Sequence, residues 1–275
     1  APETTTAVDA MHRAGRWLVK PRASGGGRGV RPWRRGTRVP HGCDLQARID
    51  GVPGSAVFVA DGRRAVLLGV SRQLVGEAAF GARGFRYCGS ILAGAGDGQF
   101  TGDEALIDAA ACLADVATEA LGLIGVNGID FVAVDGVPHA IEVNPRYTAS
   151  MELVERAYGI SVFGAHARAC TARELPAFDV RAARRGAGAT GKAVLFASHP
   201  SRVGDTRAWL GDASVRDVPH PGEVIPAGGP VCTVFAEAGD AAACHAALER
   251  RAVMVYAALG IAVDGASGRA AGIAA

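Results

Sequence analysis

Outside its turn, the stretch Ile129 to Arg146 carries three acid or amide side chains: Asp130, then Glu142 and Asn144 a short distance on. Carboxylate and amide oxygens of this kind suit Mg²⁺ or Mn²⁺, which take a few protein oxygens and complete their shell with water and phosphate. The two runs that carry them are rich in β-formers and flank Asp135-Gly136, a hairpin-turn signal. Parity then decides the chemistry. A two-residue turn pairs Val134 with Val137 and sends Asp130 and Glu142 to opposite faces. A three-residue loop, with the glycine as a left-handed bulge, shifts pairing by one and puts Asp130, Glu142 and Asn144 on one face. The metal reading therefore requires an odd loop, which places His139 on the other face. The alternative is a solvated hairpin whose acids face water.

Elements elsewhere must bring a partner to this hairpin. Trp17 to Pro21 reads as a short buried strand ending at Lys20, followed at once by the loop Ser24-Gly25-Gly26-Gly27-Arg28-Gly29-Val30. Adjacent glycines let backbone N–H groups approach phosphate oxygens, and a lysine just upstream can pair with the same phosphates. The loop is no Walker A motif, because no Gly-Lys-Ser/Thr follows; a plain flexible turn is the alternative. Leu45 to Gly51 is suited to be a hinge. Ser55–Ala60 and Ala65–Ser71 alternate as paired strands around Asp61-Gly62. Residues 76–100 read as Gly-rich and irregular. Thr101 and Glu104 fit a capping box that opens a helix to about Leu121, with Leu106, Ala109, Leu113, Val116 and Ala120 on its apolar face. Helical patterning from Ser150 to Cys170 breaks near Gly159. Residues 173–190 read as a linker, Lys192–Ala197 as a strand, and Asp240 as the N-cap of a helix to Leu259. Residues 261–275 are expected to be disordered.

Composition bounds the classes. The chain has 275 residues, 49% of them apolar, with a net charge of +2, too mild to imply nucleic acid. Arg13, Arg16, Arg22, Arg28, Arg31, Arg34, Arg35 and Arg38 make the N-terminal end basic, with only Trp17 and Trp33 available for stacking. The cysteines are scattered without a CxxC pair, the pattern of reduced thiols in a cytoplasmic protein. No apolar run reaches the roughly 18 residues of a membrane span. Lys20 and Lys192 are the only lysines, which makes each a candidate for a place that calls for a compact ammonium, the alternative being chance survival of an Arg-rich bias. The chain opens on Ala1, which suggests a fragment or a missing upstream domain.

From Trp17 to Cys170 the sequence resembles the ATP-grasp superfamily, in particular its carboxylate–amine ligase branch related to biotin carboxylase. The carrying motifs are Val19-Lys20-Pro21, the loop 24–30, the hinge 45–51 and Ile141-Glu142-Val143-Asn144-Pro145-Arg146. The resemblance implies an α+β ATP-grasp fold: a small lobe with its lid at 1–51, a large lobe at 52–172, and a small C-terminal α/β unit at 191–260 bearing His220-Pro221-Gly222. It implies ATP and Mg²⁺ or Mn²⁺ as cofactors, a carboxylate and an amine as substrates, and a homodimer as a possible assembly. Lys20 and the lid residues Ser24, Gly25, Gly26, Gly27 and Gly29 would hold ATP phosphates. Gln46, Arg48 and Asp50 would meet adenine and ribose, with Gln73 in the same site. Ala47 stands where an acid is common, so adenine contact there would rest on backbone groups. Asp130, Glu142 and Asn144 would bind metal, and Arg146 would steady the reacting carboxylate, unless it merely pairs with Glu142. In biotin carboxylase a glutamate four residues after that arginine serves bicarbonate chemistry. Ser150 stands there in this chain, which counts against an ATP-dependent carboxylase. A nucleotide-binding module without turnover and an Arg-rich nucleic-acid binder are the readings from other classes.

Overall fold

A computed structural model of the chain describes residues 1–6 and 15–260. Arg13 and the segment 261–275, the first expected to add to a basic end and the second to be disordered, lie outside the described residues. The first strands, β1 (Thr4–Thr5), β2 (Trp17–Pro21), β3 (Arg31–Pro32) and β4 (Cys43–Ala47), form one sheet in the order β1-β4-β2-β3. It is held by Trp17, Val19 and Leu45, with Trp33 and Val39 packed against them.

The larger body is an eight-stranded antiparallel sheet. Its strands are β5 (Val52–Asp61), β6 (Ala65–Val75), β7 (Tyr87–Leu92), β8 (Ile124–Val134) and β9 (Val137–Asn144), with β10 (Ala189–Phe196), β12 (Val215–Arg216) and β14 (Pro230–Ala238) from the C-terminal region. The order is β12-β14-β10-β7-β6-β5-β8-β9. Between these strands come α1 (Asp103–Leu121), α2 (Met151–Tyr158), α3 (Val162–Ala172) and α4 (Val180–Arg184). The short strands β11 (Ser201–Arg202) and β13 (Val224–Ile225) pair with each other, and α5 (Ala241–Ala258) ends the described chain. Helices α2 and α3 bury Met151, Leu153, Val154 and Val162 against Val57, Val59 and Leu68 on one face. On the other, α1 packs on Ala56 and Phe131, and α5 on Ile91, Ala193 and Val234.

Several local expectations give way to longer-range physics. Tyr87–Leu92, expected to be irregular, is a central strand; covered on both faces, it lacks the alternation that marks a half-exposed one. The capping box does not form. Gly102 caps α1 in a left-handed conformation with no side-chain bond, and Glu104 turns to Arg181 and Arg184. The apolar face of α1 is Leu106, Ile107, Ala110, Ala114 and Ala117, rotated from the expected stripe and leaving Val116 exposed. Residues 173–190 are not a bare linker. They include α4, whose Arg184 is buried and bonds Asp103 at 2.5 Å, and the sheet runs on through β10 without a break at 190.

Candidate active site

The β8–β9 hairpin settles the parity question by a route other than the expected odd loop. Val134 pairs with Val137, so the turn holds only Asp135 and Gly136, both at positive φ (48° and 80°), as a two-residue primed turn requires. The extra residue sits further along. Phe131 pairs with Ala140 and Asp130 with Glu142, which leaves Ile141 as a bulge in β9. One inserted residue reverses the side-chain alternation beyond it. Asp130 and Glu142 are therefore directly opposed on one face, with Asn144 beside them. The same pairing puts His139 opposite Val132, on the face of Asp130 and not the reverse face expected from a shifted turn.

The polar contacts around Asp130 are dense. Gln73 Nε2 donates to its Oδ1 at 2.8 Å, and Asn144 Nδ2 to its Oδ2 at 3.3 Å. Burial pushes the Asp130 carboxyl above the usual carboxylate range. The Glu142 charge adds to that shift, while hydrogen bonds from Ser55, Gln73 and Asn144 oppose it. Among the described residues neither Asp130 nor Glu142 has an ion-pair partner. Arg146 does not pair with Glu142; its Nη2 donates to Asn144 Oδ1 at 3.0 Å and its Nη1 to the Tyr147 carbonyl at 3.2 Å.

These groups face a cleft of about 480 Å³ between the small sheet and the large one, a volume suited to a small-molecule ligand. Lys20, Ser24 and Gly25 to Gly27 line it from the small lobe, with Gln46 and Arg48 at the hinge. Gln73, Asp130, Glu142, Asn144 and Arg146 line it from the large sheet. Two expected residues do not. Asp50 is drawn aside by Arg16 and by Arg48 Nε at 3.2 Å, and Gly29 packs toward Pro21. At Ala47 the backbone N–H already donates to the Glu3 carbonyl at 2.8 Å, so that donor is spent within the small lobe.

The glycine loop rests on the large lobe. Tyr87 N–H donates to the Gly26 carbonyl at 3.0 Å. A Cβ on Gly27, at φ +72°, would fall 1.8 Å from the Phe85 carbonyl oxygen, so only glycine allows this approach. The floor also holds hydroxyls, of which those of Ser55, Ser90 and Thr148 were not expected. Ser55 Oγ lies 3.4 Å from Ser150 Oγ, which lies 3.2 Å from Thr148 Oγ1; Tyr87 Oη lies 3.0 Å from Ser90 Oγ. The available signal was a lone serine inside an apolar run, as at Ser55 in Gly54–Ala60.

The donor set fits a hard cation and not a soft one. It offers two carboxylates and an amide oxygen, and among the described residues no three His, Cys, Asp or Glu side chains converge as a metal site. A cation held here would need phosphate oxygens or water to complete its shell.

No curated protein matches the chain by sequence. The biotin carboxylase domain of 2-oxoglutarate carboxylase from Hydrogenobacter thermophilus, solved with MgADP, ADP and bicarbonate, superposes with a TM-score of 0.58 at 16% identity. That match covers 82% of this chain and 53% of that one. N5-carboxyaminoimidazole ribonucleotide synthetase from Thermus thermophilus gives 0.60 at 18% identity, covering 94% and 68%. L-amino acid ligase from Bacillus licheniformis gives 0.61 at 15%, covering 92% and 66%. The chain thus spans between about half and two thirds of these proteins' lengths. The sequence model of the ATP-grasp domain matches residues 1–150, more than half of the chain, which belongs to the ATP-grasp family.

Proposed function

We infer that the protein is an ATP- and Mg²⁺-dependent ligase that activates a carboxylate as an acyl-phosphate for attack by an amine. The observation that carries this reading is the pairing of Asp130 with Glu142 on the cleft face of the hairpin, across from Lys20 and the glycine loop. Carboxylate oxygens on one wall and an ammonium with open backbone on the other suit a metal–triphosphate between them. A divalent cation held by Asp130, Glu142 and Asn144 would neutralise phosphate oxygens during transfer.

The chain's own groups supply the rest. Lys20 is placed to hold phosphate charge, and the loop 24–27 to exclude water while contributing N–H groups. Gln73 and Asn144 donate to Asp130 and so fix the orientation of its carboxylate. Arg146, kept off Glu142 and steadied by Asn144, is left to bind the substrate carboxylate. At Ser150 a neutral hydroxyl bonded to Thr148 offers no base for bicarbonate, which favours an organic carboxylate over carboxylation. The proteins of similar fold include an L-amino acid ligase, in keeping with this reading.

The test is ADP release measured over a matrix of carboxylates and amines. Release that requires one of each supports ligation. ADP formed at the same rate whatever amine is present would exclude it, and tight ATP binding with no ADP would favour a module without turnover.

A further inference from the structure

On the face of the large sheet away from the cleft, a second cavity of about 400 Å³ lies where the end of β10 meets the segment before β7. Small residues, among them Ala78, Ala82 and Ala197, line it together with Arg83, and Tyr256 closes one side. Tyr256 Oη donates to the Phe196 carbonyl at 3.1 Å and accepts from Phe196 N–H at 3.2 Å. Those two bonds hold Phe196 in place, and the Arg86 guanidinium carbon lies over its ring, 3.7 Å from the centroid.

Among the described residues no carboxylate lies within ion-pair distance of Arg86. Its pKa is held below the usual arginine range, first by burial and then by the positive charge of Arg28. An arginine that is partly desolvated, faces a like charge and lacks an acid is arranged for a guest anion. A guanidinium whose carbon sits over a ring face can still present its N–H fork at the ring's edge, and that fork matches phosphate or carboxylate oxygens.

We propose that this cavity binds a small anion through a phosphate or carboxylate group gripped by Arg86, at a site separate from the cleft. Arg86 and Tyr87 are consecutive in the chain, yet Tyr87 lines the cleft and Arg86 lines this cavity. The small alanine walls leave room for a compact organic body beside the anionic group, and Phe196 offers it an apolar edge.

The experiment is calorimetric titration of the full chain with inorganic phosphate and, separately, acetate, at low salt. The Lys20→Ala/Arg146→Gln variant removes the ammonium and the guanidinium that the cleft offers to phosphate and carboxylate. One anion site should persist in it and weaken as salt is raised. Arg86→Gln in the same background should weaken that site by about tenfold or more, the scale of a lost charge-assisted hydrogen bond. Arg86→Lys keeps the charge without the fork and should fall between. If Arg86→Gln does not fold by circular dichroism, the comparison of Arg86→Lys with Phe196→Leu carries the test. Phosphate binding without acetate binding assigns a phosphate ligand, and the reverse a carboxylate. The proposal is overturned if Lys20→Ala/Arg146→Gln abolishes all anion binding, if neither anion binds, or if the Arg86 variants bind as that background does. None of these readouts depends on turnover of ATP.

Discussion

Two acidic clusters in this fold are treated in opposite ways. At the start of α1, Asp103 and Glu104 are met by Arg184, with Arg181 on Glu104 and Asp108. On the hairpin, Asp130 and Glu142 face each other with no cation among the described residues to meet them, and burial pushes the Asp130 carboxyl up. The first arrangement joins α4 to α1 and serves the fold. The second leaves like charges opposed across a ladder, which costs stability, and is understandable where a cation arrives with the ligand. If the contrast is right, neutralising the two clusters should have opposite consequences.

The largest effect should follow Glu142→Gln. Loss of one carboxylate from the hairpin set is expected to lower ADP release on the order of 10³-fold or more, the scale of several kcal/mol of transition-state stabilisation, while the melting temperature stays at or above that of the parent. A rate within a few fold of the parent would remove Glu142 from the site. Next comes Arg184→Ala. Its side chain is only 4% exposed, and removing it leaves Asp103 without its cation, at a cost of about 3 kcal/mol. Chemical denaturation should show that loss. Arg181, on the exposed side of the same cluster, should be dispensable by the same measurement, because solvent and salt screen such pairs.

How much of this is legible in the sequence depends on the range of the interaction. Lys20, the glycine loop and the hairpin acids are readable because each sits in a local pattern. Even there the sequence misplaces the device: Ile141 bulges within β9, where no Gly or Pro marks it, and the turn itself is the ordinary two-residue kind. Arg184 looks like linker because α4 is short and its partners lie on α1. Ser55 and Ser150 meet only because β5 pairs with β8 and α2 begins beside them, a register that no nearby residue announces. Tyr87–Leu92 is unreadable for a related reason. A strand buried on both faces carries no alternating signal, and the glycines on either side of it make the whole segment read as irregular.

An intermediate effect should come from the lid. Gly27→Ala would place a methyl group against the Phe85 carbonyl, a backbone atom that cannot rotate away, in a conformation that β-carbons disfavour. The loop should then stay off the large lobe. The expected result is a rise of about tenfold in KM for ATP, from the loss of roughly one or two hydrogen bonds' worth of lid contact. An unchanged KM would mean that the docked loop contributes nothing to nucleotide binding.

The smallest effect tests the contrast most directly, because it is a gain. Asp130 has its folded pKa raised above the ordinary aspartate value of 3.8, chiefly by burial and then by Glu142. An acid shifted upward on folding destabilises the folded state wherever it is ionised, so the cost is present in full above the raised pKa. It is relieved as pH falls through that pKa toward the unfolded value. Asp130→Asn removes the charge, and Gln73 can turn its amide to keep a hydrogen bond with the new side chain. In the absence of divalent cations the variant should therefore melt slightly higher than the parent at neutral pH, with the difference shrinking as the buffer is made acidic. Added Mg²⁺ with ATP should raise the parent's melting temperature and leave the variant's nearly unmoved, since binding to the folded state alone is what stabilises it. A variant that melts lower at neutral pH would place Asp130 with the α1 cluster as a structural acid, and the contrast between the two clusters would be lost.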